Sequence, residues 1–432
     1  MRNVFVIGPD PFNFEKLRRS APDDVRLHEL FTFEQVAGGG RYPLATLLNS
    51  AEELLRGFNG SLDGIMGFWD FPTSSLVPML CERFGLATSP VETVAKCEHK
   101  FWCRVEQQQS VPGHIPAFTK VDPYDDRALE RIRDAGIEFP FWVKPVQSFQ
   151  SYLAFKIDDA EEFHAAMARV REEILILAAS FNQLLLHLDT PADVGDLGGR
   201  FCVVEQSLSG EMFTVEGYTY KGEPRVHGII DSVRLPGMSS FAAYTYPSQQ
   251  PEEVQQEAVE VSAEMVRQLG FDTSTFNIEF FYDADAGRLS VLEVNPRISQ
   301  SHSDLFEKVD GETNLRIMLD LALGQEPDFP HREGEFGVAG KFFVRSLDDG
   351  VVTRTPSRRE IDRLTERFPG TSIHVNVAEG TRLSELPHQD SYSFDLANVF
   401  LGADDHRQLW EHYDKVAGAL KFRFAEGRAE VA

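Results

Sequence analysis

The sequence predicts a multidomain protein of mixed α/β and α+β class. Three observations carry that expectation. The chain has 432 residues, well above the ~100–200 of a single domain. Strands alternate with helical spacing over residues 1–90, and antiparallel hairpins dominate further on. Apolar residues make up 42% of the chain, and no apolar run reaches the ~18 residues of a membrane span. Lys and Arg number 42 against 68 Asp and Glu, a net charge of −26. A field of that sign repels phosphate backbones and anionic membrane, so no nucleic-acid or membrane partner is expected, though a few lysines can still hold a small anion. Cys81, Cys97, Cys103 and Cys202 form no CxxC pair, and Met1–Ile7 lacks a signal-peptide layout; both fit a cytoplasmic location.

Taken in order, Asn3–Ile7 reads as a buried strand broken by the turn Gly8-Pro9-Asp10-Pro11. Further strands are expected at Val25–Phe31 and Gly64–Phe68, with helices at Leu44–Phe58 and Ser75–Phe84, which makes a small parallel α/β unit. No G-x-G-x-x-G follows the first strand, so a dinucleotide fingerprint is absent. Gly38-Gly39-Gly40 reads as a connection. A single helix is expected over Glu92–Gln109, then strand-like segments from Ile115 to Ile157. Phe163, Met167, Val170, Ile174, Leu177, Phe181 and Leu184 recur in steps of three and four, one helical stripe facing a core. After the polar loop Thr190–Arg200, strands are expected at Phe201–Gln206, Met212–Tyr220 and Arg225–Val233. A helix at Glu252–Leu269, a hairpin over Ser274–Asn295 and a helix near Leu315–Leu323 follow. The tail from Phe336 reads as a further α+β unit that ends in an amphipathic segment, Arg407–Leu420.

The hairpin carries the chemistry. Two β-rich runs flank an Asp/Gly turn, and alternation puts Asn277 and Glu279 on one face of the first strand, Glu293 and Asn295 on one face of the second. With the turn near Ala286, Glu279 and Glu293 stand opposite each other. Two facing carboxylates are costly unless a cation lies between them, and oxygen ligands alone select a hard ion, Mg²⁺ or Mn²⁺. Arg297, just past the strand, is placed to bind an anion that the metal also contacts.

Lys144 closes the apolar strand FPFWVKP, where an unpaired lysine is expensive; either an anion such as a phosphate oxygen meets it or its head reaches water. The loop after it, Gln147–Tyr152, contains no glycine, so Ser148 and Ser151 are its donors in place of a close backbone approach. Lys100 is either a ligand-binding or a surface lysine. Glu205-Gln206-Ser207-Leu208-Ser209-Gly210-Glu211 is a strand running into a glycine turn, whose exit can read a base edge or be a plain hairpin.

Together, Lys100, Lys144-Pro145, Glu205-Gln206-x-Leu208-x-Gly210, Glu279 and Glu293-Val294-Asn295-Pro296-Arg297 resemble the ATP-grasp superfamily, over roughly Thr88–Gln325 and most nearly its carboxylate–amine ligase branch. The resemblance implies an N-terminal α/β domain (1–90), a small lobe with linker helix (91–205), a large lobe with the metal site (206–330) and a C-terminal α+β lid domain (331–432). It implies that Lys100 and Lys144 hold ATP phosphates, with Ser148 and Ser151 above them. Glu205, Gln206, Ser207 and Leu208 would face adenine, and Glu211 would take the ribose, since Met212 stands at the usual acidic position. Glu279, Glu293 and Asn295 would bind Mg²⁺, while Arg297 and Lys144 would act on the transferred phosphate or acyl phosphate.

The implied partners are a small-molecule carboxylate and an amine, on a chain that, like many relatives, would form a homodimer. Arg234, His227, Ser299 and His302 are candidate substrate contacts, each with a packed or solvated alternative. Three readings compete: a ligase joining carboxylate and amine through an acyl phosphate, an ATP-grasp enzyme with another acceptor (a bicarbonate-activating or nucleotide-biosynthesis type), or a nucleotide-binding regulatory protein without turnover.

Overall fold

The computed structural model describes the chain except residues 37–42, 149–151, 192–193, 195–197, 387–392 and 426–432. Gly38–Gly40, Ser151 and part of the 190–200 loop lie outside the described residues.

The first unit is a parallel sheet of β1 (Arg2–Ile7), β2 (Val25–Leu30) and β3 (Gly64–Met66), ordered β2-β1-β3. Where the sequence suggested only a turn after β1, a helix runs from Pro11 to Ser20. Asp10 caps it, accepting from the Asn13 N–H at 3.0 Å, and Pro11 takes the first position, where a missing N–H costs nothing. Its Phe14 and Leu17 bury against Leu315, Met318 and Leu319 of the helix Asn314–Ala322, which fastens this unit to the later part of the chain.

A second, antiparallel sheet contains β4 (Phe118–Val121), β5 (Phe141–Pro145), β6 (Phe155–Ile157) and β7 (Cys202–Gln206), ordered β4-β7-β5-β6. The helix Ala160–Leu185 covers it. The stripe read from sequence is its inner face: Phe163, Met167, Val170 and Ile174 pack with this sheet, whereas Phe181 and Leu184 reach the core of the first unit. At roughly 1.5–3 kcal/mol per buried side chain, that one stripe fixes the small sheet to its neighbour.

The third sheet has eight strands: β8 (Glu211–Tyr220), β9 (Glu223–Arg234), β10 (Phe241–Tyr246), β11 (Ser274–Asp283), β12 (Arg288–Asn295), β13 (Val338–Ser346), β15 (Ser372–Val375) and β16 (Phe394–Ala403). The order is β12-β11-β8-β9-β10-β13-β16-β15, and β14 (Val351–Arg354) pairs apart with β17 (Arg423–Ala425). The sequence set a boundary near 330, yet β13 pairs antiparallel with β10 from Ala243↔Phe342 to Tyr246↔Ala339, so the C-terminal strands extend this sheet. Strand propensity marks a segment as extended but not the edge it joins. Alternation then sorts the faces. Phe213, Val215, Phe276, Ile278 and Phe280 bury against the helix Glu252–Leu269, which leaves Thr214, Asn277 and Glu279 on the opposite face.

Candidate active site

The expected single helix over 92–109 is two helices, Val91–Glu98 and Lys100–Ser110, broken at His99. His99 leaves helical geometry (φ −89°, ψ 90°), and its Nδ1 accepts from the Trp102 N–H at 3.1 Å, capping the second helix. The break sets Lys100 at the head of that helix, with its Nζ 2.8 Å from a Glu293 carboxylate oxygen and 2.9 Å from the Ser148 carbonyl. Burial, reinforced by the adjacent Lys100 charge, pulls His99 down to about 4. The unfolded chain therefore binds more protons between that value and 6.5, so stability is lost as pH falls through this window, by about 3 kcal/mol in full. His99→Asn keeps a cap that does not titrate. Urea unfolding from pH 7 to 4 should show a shallower acid loss for that variant than for the wild type.

Glu279 and Glu293 are direct cross-strand partners in β11–β12, flanked by the Asn277↔Asn295 pair. A bulge follows at once, because Phe280 pairs with Val291 and leaves Leu292 out of the ladder. Burial and the charge of Glu293 raise the Glu279 carboxyl above the usual carboxylate range. Glu293 goes the other way: Lys100, then Lys144, outweighs its burial and holds it low. Among the described residues no group of three or more His, Cys, Asp or Glu is arranged to hold a metal. Two carboxylates and the Asn295 carboxamide nonetheless suit Mg²⁺, which typically takes one or two carboxylates and completes its shell with substrate phosphates and water. Asn295 Nδ2 lies 3.4 Å from Asn277 Oδ1. Arg297 Nε donates to Asp70 of the first unit at 2.5 Å.

Lys144 meets protein rather than an awaiting anion. Its Nζ lies 2.6 Å from Glu205, and Arg104 Nε donates to the other Glu205 oxygen at 2.6 Å. Burial opposes ionisation of Glu205, but these two cations hold it at about 2. The carboxylate expected to face adenine is thus turned into an ion triad. Gln206 is likewise tied back, its Nε2 donating to the Glu138 and Pro140 carbonyls at 3.1 and 2.9 Å. Ser207 keeps a buried hydroxyl without a partner, Leu208 is half-buried, and exposed Glu211 accepts from Gln250 at 2.9 Å.

Beside the hairpin lies a cavity of about 230 Å³, walled among others by Trp69, Asp70, Tyr244, Glu279, Arg297 and His302, with Ser299 in its lining. Arg234 and His227 are not in that lining. Arg234 stacks on Phe281 at 4.7 Å, and the His227 ring packs against Phe306 at 4.9 Å. Sequence reasoning missed Asp70, Trp69, Arg104 and above all Glu216. Glu216 is fully buried on β8, and its carboxylate accepts from the Ser299 N–H at 3.1 Å, His302 Nδ1 at 2.6 Å and Asn314 Nδ2 at 2.8 Å. Its one signal was an acid on the inner half of an otherwise apolar strand. The hydrogen bond from His302 and the nearby His227, 3.6 Å away, overcome its burial and hold it at about 2.

A family model for the ATP-grasp domain matches residues 137–303. The L-amino acid ligase of Bacillus licheniformis superimposes over 99% of both chains with TM-score 0.71 at 19% identity. Residues 137–303 therefore carry an ATP-grasp domain. A second structural neighbour is the biotin carboxylase domain of the Hydrogenobacter thermophilus 2-oxoglutarate carboxylase, in complex with MgADP, ADP and bicarbonate. It has TM-score 0.66 and 14% identity over 98% of this chain and 91% of that one. In sequence the chain is 32% identical over 148 residues to the carbamoyl phosphate synthase large chain of Ralstonia nicotianae, covering 33% of this chain. It spans only 13% of that relative's length.

Proposed function

We propose that the protein is an ATP- and Mg²⁺-dependent ligase that activates a small carboxylic acid of the amino-acid class and joins it to an amine. One observation carries this reading: Glu279, which faces Glu293 across the hairpin, and Arg297 border a polar cavity that is too large for bicarbonate and suits a small amino acid. Bound Mg²⁺ would screen the repulsion between an anionic carboxylate and the triphosphate. Lys100 and Lys144 lie on the phosphate side, where an incoming triphosphate competes with Glu293 and Glu205 for their charge. Arg297, held by Asp70, presents a fixed cation to the carboxylate and to the acyl phosphate it becomes. The first unit supplies Asp70 and Trp69, so substrate would be enclosed between units and shielded from water.

The test is ADP and phosphate release with Mg²⁺-ATP and the twenty amino acids, singly and in pairs, with bicarbonate as a parallel arm. Release that needs an amino-acid pair and stops on metal chelation is expected. Release driven by bicarbonate alone, or by no combination, would overturn the reading.

A further inference from the structure

Two buried polar atoms on the cavity wall lack partners: Trp69 Nε1 and His302 Nε2. Buried polar atoms are nearly always bonded, so two on one wall mark where a polar ligand makes its contacts. His302 is the more informative. Its Nδ1 lies 2.6 Å from the ionised Glu216 carboxylate, which can only accept, so Nδ1 carries hydrogen and the neutral ring keeps its lone pair on Nε2. The edge of Tyr244 fixes the ring from the side, centroids 4.8 Å apart at 84°. A histidine serving only to satisfy Glu216 would use Nδ1 alone; the partnerless Nε2 beside Arg297 and Glu279 has no structural purpose.

We propose that His302 is the general base for the attacking amine, with Glu216 as its positioning residue; the proposal rests on the ligase reading above. An amino-acid amine arrives as an ammonium and cannot attack until it loses a proton. His302 Nε2 takes that proton, and the amine nitrogen forms the C–N bond to the acyl-phosphate carbonyl. The C–O bond to phosphate breaks, and the second nitrogen proton leaves with phosphate as hydrogen phosphate. One amide, one hydrogen phosphate and one imidazolium result, and the Glu216 charge steadies the imidazolium. The ring meets Glu216 on β8 and Tyr244 on β10; His227 on β9 lies 3.6 Å from Glu216, and Lys341 on β13 donates from its Nζ to Oγ of the adjacent Ser301 at 3.0 Å.

The experiment separates activation from attack. Hydroxylamine is an unprotonated nucleophile near neutral pH, so it traps an acyl phosphate as a hydroxamate without a base. Each of the twenty amino acids is supplied with Mg²⁺-ATP, once with hydroxylamine and once with a second amino acid. His302→Gln should keep hydroxamate formation within about threefold of wild type and lose amide formation by about 10²–10⁴-fold. Equal losses in both products, or unchanged amide formation, would overturn the assignment of His302 while leaving the ligase reading intact. A wild type that forms no hydroxamate from any amino acid would instead bring down the ligase reading, and this proposal with it.

Discussion

Glu293→Gln is expected to lower ATP-dependent turnover on the order of 10³-fold while shifting the thermal midpoint by only a few degrees. The rate loss follows from charge. On the proposed reading, Glu279 and Glu293 would hold a metal that supplies several kcal/mol of electrostatic stabilisation, and each ~1.4 kcal/mol is tenfold. A carboxamide keeps the shape of Glu293 but not its charge. The small stability change follows from two opposing effects. Lys100 loses an ion pair at 2.8 Å but keeps the Ser148 carbonyl at 2.9 Å, and the Glu293 side chain is 31% exposed, so water replaces part of what is lost. Against this, Glu279 is relieved of the like charge opposite it, which with burial holds its carboxyl above the usual range. Steady-state ADP release across a Mg²⁺ titration measures the first effect and thermal unfolding the second. Near-wild-type turnover at moderate Mg²⁺ would remove the metal role from this residue.

The hairpin was legible because its information is local: alternation and an Asp/Gly turn suffice to bring Glu279 opposite Glu293. The helical stripe from Phe163 to Leu184 was legible for the same reason, since its period is written in sequence. The His99 break was not, because a histidine cap is weaker in sequence than Ser or Asp and the residues on both sides are good helix formers. The partners of Lys144 and Arg297 were illegible for a different reason. Glu205 stands sixty-one positions from Lys144 and Asp70 more than two hundred from Arg297, so each pair exists only once strands and units have assembled. Sequence showed that buried cations needed anions, but not that the protein itself supplied them. Glu216 illustrates the converse. An acid inside an apolar strand announces an unusual environment, but its donors Ser299, His302 and Asn314 come from the segment after the hairpin, which no spacing rule connects to β8.

Arg104→Met should produce the largest loss of stability, about 3–5 kcal/mol, together with weaker ATP binding. Arg104 is 2% exposed, and its guanidinium joins three parts of the molecule: its own helix, the small sheet and the large one. It donates to Gln107 within the helix at 2.6 Å, to Glu205 of β7 at 2.6 Å, and to the Val291 and Leu292 carbonyls of β12 at 3.0 and 2.7 Å. The Leu292 carbonyl is the one that the bulge removes from the β11–β12 ladder, so the arginine is its replacement partner. Methionine fills the stem's volume but leaves Glu205 with Lys144 alone and two carbonyls without their donor. Breaking a buried ion pair from one side carries this cost because the remaining charge stays desolvated. The geometry also predicts the sign of the coupling. Glu205→Met alone strands Arg104 and Lys144 together, whereas in the double variant only Lys144, 13% exposed in its side chain, remains unpaired. The double variant should therefore be more stable than the sum of the single losses requires, by roughly 1–3 kcal/mol in a double-mutant cycle from urea unfolding. Strict additivity would mean that Arg104 and Glu205 act independently and that the lobes are joined by something other than this guanidinium.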